Sequence, residues 1–210
     1  MLKVIICDDH PIVREGLKNI IAKSGDIAVE AEAGTGSELM EKLGQGRFDV
    51  VVLDISLPGA NGLDVLKLLQ GSSPRPAVIV LSMHPEQQYA VRALKAGAAG
   101  YLEKASAPSE LVSAIRKVAH GGRYVSAALA ERLAFGLGGN EKNEAHESLS
   151  DREYQILLMI ASGKGAKEIA SELSVAPSTI GTYRSRILEK LGLTNTAELI
   201  HYAVANRLVE

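Results

Sequence analysis

Apolar residues recur along this chain in two rhythms. Leu2–Cys7 is short and nearly continuously apolar, the pattern of a strand covered on both faces. In Pro11–Lys23 the apolar positions Ile12, Val13, Leu17, Ile20 and Ile21 fall near the helical period. The alternation then repeats. Ile27–Ala31, Val50–Leu53, Ala77–Leu81 and Gly100–Leu102 read as strands. Ser37–Leu43, Leu63–Leu69, Glu86–Ala96 and Ser109–Ala119 read as helices. Glycines stop three of these helices, Gly44 and Gly46 the first, Gly97 the third, Gly121 and Gly122 the last. Five strand-then-helix repeats predict a doubly wound α/β domain, a five-stranded parallel sheet with helices on both faces.

Past Gly122 the rhythm changes. Tyr124–Phe135 reads as a short helix with Leu129, Leu133 and Phe135 as its apolar contacts. The stretch GLGGNEKNEAHES, Gly136 to Ser148, holds too few apolar residues to pack and reads as a mobile tether. From Leu149 on the pattern is helical throughout. Ser150 and Glu153 form a capping box, with Leu149 and Tyr154 placed as a hydrophobic staple. Tyr154, Leu157, Leu158 and Ala161 share one face of that helix. Lys167–Leu173, the turn Ser174–Ala176 and the longer Pro177–Leu191 follow, and Glu198–Asn206 closes the chain. A short helix, a three-residue turn and a longer helix is the helix-turn-helix pattern. The expected divisions are an α/β domain over 1–121, a linker over 122–148 and a small all-α domain over 149–210.

Composition adds limits. The 210 residues are 46% hydrophobic and 23% charged, which fits packed soluble domains. A net charge of −2 means that any DNA-binding surface must be local. The lone cysteine, Cys7, excludes an internal disulfide and reads as a buried small hydrophobe. No apolar run is long enough for a membrane span, and the N-terminus carries no signal-peptide pattern, so a cytoplasmic protein without a membrane partner is expected.

The candidate chemistry lies at the strand ends, where such sheets bind ligands. Asp8 and Asp9 follow the first strand, Asp54 the third, Ser82 the fourth, and Glu103 and Lys104 the fifth. Asp8, Asp9 and Asp54 brought together repel unless a cation sits among them. Oxygen donors favour magnesium over zinc. Lys104 and Ser82 suit phosphoryl oxygens, so the set fits phosphoryl transfer to Asp54. Pro58, Gly59, Asn61 and Gly62 are expected to shape a loop whose backbone approaches the metal and the phosphoryl group. His10 and His84 lie beside the pocket and are expected at the surface, outside the chemistry. On the helix-turn-helix, Ser178, Thr179, Thr182, Ser185, Arg186 and Lys190 share the outer face of the longer helix, with Arg184 at its flank. Hydroxyls near a helix N-terminus suit phosphates, and arginines suit guanine edges or phosphates.

CDDHPIVREGL, VVLDISLPGANGLDVL, VIVLSMH and AGAAGYLEKAS resemble the receiver domain of two-component response regulators. The resemblance implies the flavodoxin-like fold, with Asp54 as phosphoacceptor and Asp8 and Asp9 as the acidic pair. It implies that Asp9, Asp54 and the Ser56 carbonyl touch Mg2+, and that Ser82 and Tyr101 are switch residues. LSDREYQILLMIASGKGAKEIASELSVAPSTIGTYRSRILEKL resembles the LuxR-type DNA-binding domain, which together with the receiver gives the NarL/FixJ class. That adds Lys167 and Gly181 to the candidate DNA contacts. It implies a histidine kinase that supplies the phosphoryl group, and double-stranded DNA as partner.

This chain departs from the family at four places. Ala105 stands where many receivers have proline. Ala176 stands where serine often caps the recognition helix, a loss of about 1 kcal/mol. Gly181 and Tyr183 replace the frequent lysine and histidine. The expected protein is a regulator rather than an enzyme, a homodimer when phosphorylated, with Leu199, Ile200 and Ala203 as the dimer contact. Two rival readings are an aspartate-nucleophile phosphatase, against which Ser56 stands where the second aspartate belongs, and a phosphorylatable module that binds protein instead of DNA.

Overall fold

In the computed structural model the described residues are 1–57, 61–71, 74–136 and 145–209, with backbone alone for 132–136. Pro58 and Gly59 of the predicted loop, residues 137–144 of the predicted tether, and the side chains of Leu133 and Phe135 lie outside them. The chain forms two compact units, Met1–Leu137 and Gly138–Glu210.

The first unit is built on strands β1 (Leu2–Cys7), β2 (Ile27–Ala33), β3 (Val50–Asp54), β4 (Ala77–Ser82) and β5 (Gly100–Glu103). They pair in the order β2-β1-β3-β4-β5, all parallel. The chain leaves β1 for β2 on one side and resumes at β3 on the other, so the order reverses between β1 and β3. That reversal opens a crevice at the carboxyl ends of these strands. Every residue of β3 is buried, which its continuous apolar run anticipates.

Helices α1 (Pro11–Ala22), α2 (Gly36–Gln45), α3 (Gly62–Leu69), α4 (Glu86–Lys95) and α5 (Ala107–Ala119) follow the strands in turn. On one face of the sheet Val4, Ile6, Val52, Ile79 and Leu81 pack with Leu17 and Ile21 of α1 and Leu111, Ile115 and Val118 of α5. The period-two alternation turns Ile5, Val51, Leu53 and Val80, all buried, to the other face. Helix α2 runs through Gly44 to Gln45. Gly46 alone caps it, because Gly44 keeps its helical bonds.

After α5 the chain returns along the free edge of β5. Tyr124 N donates to Ala99 O at 2.9 Å and Tyr101 N to Tyr124 O at 3.2 Å, a short parallel bridge onto Gly100. Helix α6 (Ala127–Gly136) then packs against α4 and buries Leu129. The linker expected from the sequence is therefore ordered onto the first unit up to Gly136. Its far end is ordered too. A 3-10 turn, Ala145–Ser148, lies in the second unit, where His146 N donates to the Tyr202 hydroxyl at 3.2 Å. A low apolar count hides this contact because it is made through one histidine.

The second unit comprises α7 (Asp151–Ala161), α8 (Ala166–Glu172), α9 (Pro177–Leu191) and α10 (Thr196–Ala205). Helix α7 is its centre, buried from Glu153 through Ile160. Ile169 and Ala170 of α8, Ile180 and Ile187 of α9, and Leu199 and Ala203 of α10 complete the core. Among the described residues no helix is long and apolar enough to cross a membrane.

Candidate functional site

The strand ends bring the predicted residues together. Asp8, 1% exposed, and Asp54, 2% exposed, both face the Lys104 ammonium, with Nζ 2.6 Å from Asp8 Oδ2 and 2.7 Å from Asp54 Oδ2. Parallel register puts them there, because β1 and β4 flank β3 and Lys104 follows β5. Asp9 is more exposed and lies 2.7 Å from His10 Nδ1. Donor atoms of Asp8, Asp9, His10 and Asp54 all lie within 4.8 Å of one another, a group that could hold a metal ion. His10 is at the surface, as expected from the sequence, yet it also joins this donor group.

One ammonium is shared by two buried carboxylates. Burial raises the Asp54 carboxyl above its ordinary value, and Lys104 only partly reverses this. Burial by itself would lower Lys104, but the Asp54 and Asp8 carboxylates outweigh it and hold the ammonium above its ordinary value. Asp8, Asp9 and Asp54 gather their carboxylate oxygens about one ammonium, and such hard donors suit a divalent cation. Cys7 is buried beneath the pocket, and burial, then Asp54 and Asp8, pushes its thiol up to about 12. Burial keeps the thiol in its neutral form, which fits the buried small hydrophobe expected from its apolar setting.

The backbone around Asp54 is tightly set. Ser56 N donates to Asp54 Oδ1 at 3.0 Å. Asn61 caps α3 by accepting from Leu63 N, and Gly62 N donates to Ile55 O at 2.9 Å. A Cβ on Gly62 would lie 2.4 Å from Asp54 O and 2.7 Å from Ile55 Cα. Gly62 therefore serves the close packing of the loop on the end of β3. The approach to a metal and a phosphoryl group expected of this loop does not account for Gly62, whose neighbours are Asp54 and Ile55 backbone.

Ser82 is buried, and its Oγ accepts from His84 N at 2.9 Å. Tyr101 is buried on β5, and its hydroxyl donates to His84 O at 2.8 Å. The His84 ring stands 4.8 Å from that of Tyr89, so this residue is part of the packing between β4 and α4 and not a bare surface group. Glu103 Oε1 accepts from Glu86 N at 2.9 Å and caps α4 from the neighbouring strand. Arg14 donates through Nη1 to Asp8 O at 2.7 Å and through Nε to Glu32 Oε2 at 3.2 Å. Sequence reading missed both partnerships, which join residues far apart in the chain.

On the second unit, Lys167, Ser178, Thr182, Arg184, Ser185 and Arg186 are exposed, and Thr179 and Gly181 half-buried. Lys190 is exposed as well, with a partner that its place on the outer face does not announce. Its ammonium lies 2.6 Å from Glu153 Oε2 on α7. Leu199 and Ala203 are fully buried and belong to the core, so they cannot form the predicted dimer contact. The apolar period of α10 marks its inner face, which packs on the core of the unit and not on a second copy.

Comparison with known proteins agrees with both halves. Residues 4–116 match the response regulator receiver domain, and residues 147–203 match the bacterial regulatory proteins of the luxR family. Response regulator UvrY of Escherichia coli is 38% identical over 209 residues, 99% of this chain and 96% of UvrY. Response regulator GacA of Pseudomonas aeruginosa is 36% identical over 211 residues, 100% of this chain and 99% of GacA. Among solved structures, RcsB from Salmonella enterica serovar Typhimurium, bound to promoter rprA in the presence of phosphomimetic BeF3-, is similar with a TM-score of 0.65 and 27% identity, over 96% of this chain and 97% of that one. Response regulator ChrA of a heme-sensing two-component system has a TM-score of 0.53 and 32% identity, over 99% of this chain and 98% of that one. With a flavodoxin-like receiver domain followed by a LuxR-type helix-turn-helix domain, the chain belongs to the NarL/FixJ class of response regulators, DNA-binding regulators of transcription.

Proposed function

We propose that Asp54 is the phosphoacceptor and that its phosphorylation by a histidine kinase controls dimerisation and DNA binding. The observation that carries this is the Lys104 ammonium held between Asp8 and Asp54 in one buried pocket. Asp54 attacks phosphorus as a carboxylate. The P–N bond to the donor histidine breaks, the P–O bond to Asp54 forms, and the histidine leaves to take up a proton from solvent. Lys104 stays in place to hold the acyl phosphate. Asp9, Asp54 and the Ser56 carbonyl would hold Mg2+, which supplies positive charge against the incoming phosphoryl oxygens. Ser82 would then turn its hydroxyl to the new oxygens. Its contact to His84 N would change, and Tyr101, which donates to His84 O, would follow.

On the second unit, α9 is read as the helix that enters the major groove. Lys167, Ser178, Thr179, Gly181, Thr182, Arg184, Ser185 and Arg186 form the DNA-contacting surface. The exposed side of α10, with Ala197, His201 and Val204, replaces Leu199 and Ala203 as the surface that meets a second copy. Two such helices read half-sites about one helical turn apart. Binding of RcsB to its promoter in the presence of a phosphoryl mimic supports this reading.

Intact mass tests it. With a small-molecule phosphodonor and magnesium, the protein gains one phosphoryl group and Asp54→Asn gains none. Equal labelling of the two would refute Asp54 as acceptor.

A further inference from the structure

Pro177 starts helix α9 and a left-handed Gly192 closes it, but its N-terminal half is poorly supported by side chains. Its N-cap, Ala176, makes no side-chain hydrogen bond. Gly181 lies in its interior, where glycine costs about 1 kcal/mol against alanine, and an added Cβ there would meet nothing within 4 Å. Thr182 and Ser185 donate back to their own helix, to Ser178 O at 3.3 Å and Gly181 O at 3.1 Å. Bonds of that kind do not strengthen a helix. How α9 sits on the unit is set by the groups that meet it from outside, beginning at the buried Ile180 and Ile187.

The first turn of α7 adds to these at two points. Arg152 Nη2 donates to Leu173 O at 3.2 Å, where α8 ends and the turn to α9 begins. Glu153 reaches the far end of α9. Its carboxylate accepts from Ser150 N at 2.8 Å and meets Lys190 Nζ at 2.6 Å through the same oxygen. The Glu153 side chain is 5% exposed, against 40% for Lys190. One turn before Lys190, Ile187 is fully buried. The Glu153 side chain thus does more than close the capping box.

We propose that Glu153 is a positioning residue for DNA recognition, and that Lys190 acts on DNA through Glu153 rather than as a phosphate contact. Glu153 fixes Lys190, and with Ile187 this sets how α9 sits on α7 and how Arg184 and Arg186 are presented. An ammonium already paired to a buried carboxylate gives little to a phosphate, because leaving would strand the carboxylate charge. The inference rests on the reading of α9 as the groove-entering helix.

The test uses the full chain and a duplex selected from randomised DNA by the wild type. Dissociation constants are measured across a salt series for wild type, Glu153→Gln, Lys190→Met and an Arg184→Ala, Arg186→Ala double variant. Gln keeps the capping box and removes only the charge. Both single variants should bind roughly tenfold more weakly with the salt slope unchanged, since no phosphate contact is lost. The double variant should lose about two counterions of slope. Circular dichroism confirms that each variant is folded, and Lys190→Arg, which keeps the pair, should retain wild-type affinity. A slope lower by about one in Lys190→Met, with Glu153→Gln bound normally or more tightly, would overturn the proposal and make Lys190 a phosphate contact. Unchanged binding by the double variant would sink the α9 reading itself, and the proposal with it.

Discussion

A Cβ at position 62 would stand 2.4 Å from the Asp54 carbonyl and 3.1 Å from that of Ile55. Backbone on both sides cannot yield without moving Asp54. Gly62→Ala should therefore cost about 1–3 kcal/mol of stability in urea unfolding and slow the gain of phosphoryl mass. Wild-type stability in this variant would mean that the loop relaxes freely. That Asp8, Asp54, Ser82 and Lys104 gather at one end of the sheet was legible in the sequence, because each ends a strand or follows one. The reason for Gly62 was not, since the atoms it must avoid belong to another turn of the chain.

Edges and ends of elements show the same division. Strand β5 is closed by Tyr124, whose carbonyl would lie 2.9 Å from a Cβ on Gly100. Tyr124 also donates to Glu110 Oε2 at 2.8 Å, which ties the bridge to α5. Gly100→Ala should push the linker from the edge. Amide exchange at Tyr101 and Tyr124 should rise, and stability should fall by about 1–3 kcal/mol. Unchanged protection at both amides would show that the bridge is not needed. In α7, burial would raise the Glu153 carboxyl, but Lys190 and Ser150 hold it below its ordinary value of 4.5. A depressed carboxyl stabilises the fold above the unfolded value and loses that contribution as pH falls through the folded one. Thermal unfolding should therefore show the wild type losing stability below about pH 4.5. Glu153→Gln should lose less over the same range. Parallel losses would mean that Glu153 is not the group responsible.

For the whole molecule, two substitutions on α10 separate folding from assembly. Leu199 is fully buried, so Leu199→Glu should cost roughly 3 kcal/mol or more and unfold the second unit. Val204 is 51% exposed, and Val204→Glu should leave the melting temperature unchanged while weakening DNA binding and dimerisation. Calorimetry and sedentation by analytical ultracentrifugation would check the pair. A folded Leu199→Glu protein would refute the core assignment. A dimeric, fully binding Val204→Glu protein would refute the α10 contact. Phosphorylation of Asp54 should be intact in both, because that site lies in the other unit.

Taken by itself, the sequence determined the order of elements, the parallel sheet, the two-domain division and the residues at the strand ends. These follow from local periodicity and from the rule that a strand presents its last residue at a fixed place. It also marked the capping box at Ser150 and Glu153, a signal carried within four neighbouring positions. Tertiary structure alone decided how one ammonium is shared by Asp8 and Asp54, and why Gly62 must lack a side chain. It decided that Lys190 belongs to Glu153, and that Leu199 and Ala203 face inward. Each of these depends on a partner distant in sequence. Periodicity shows that a face is apolar, but only the packed neighbour shows what covers it.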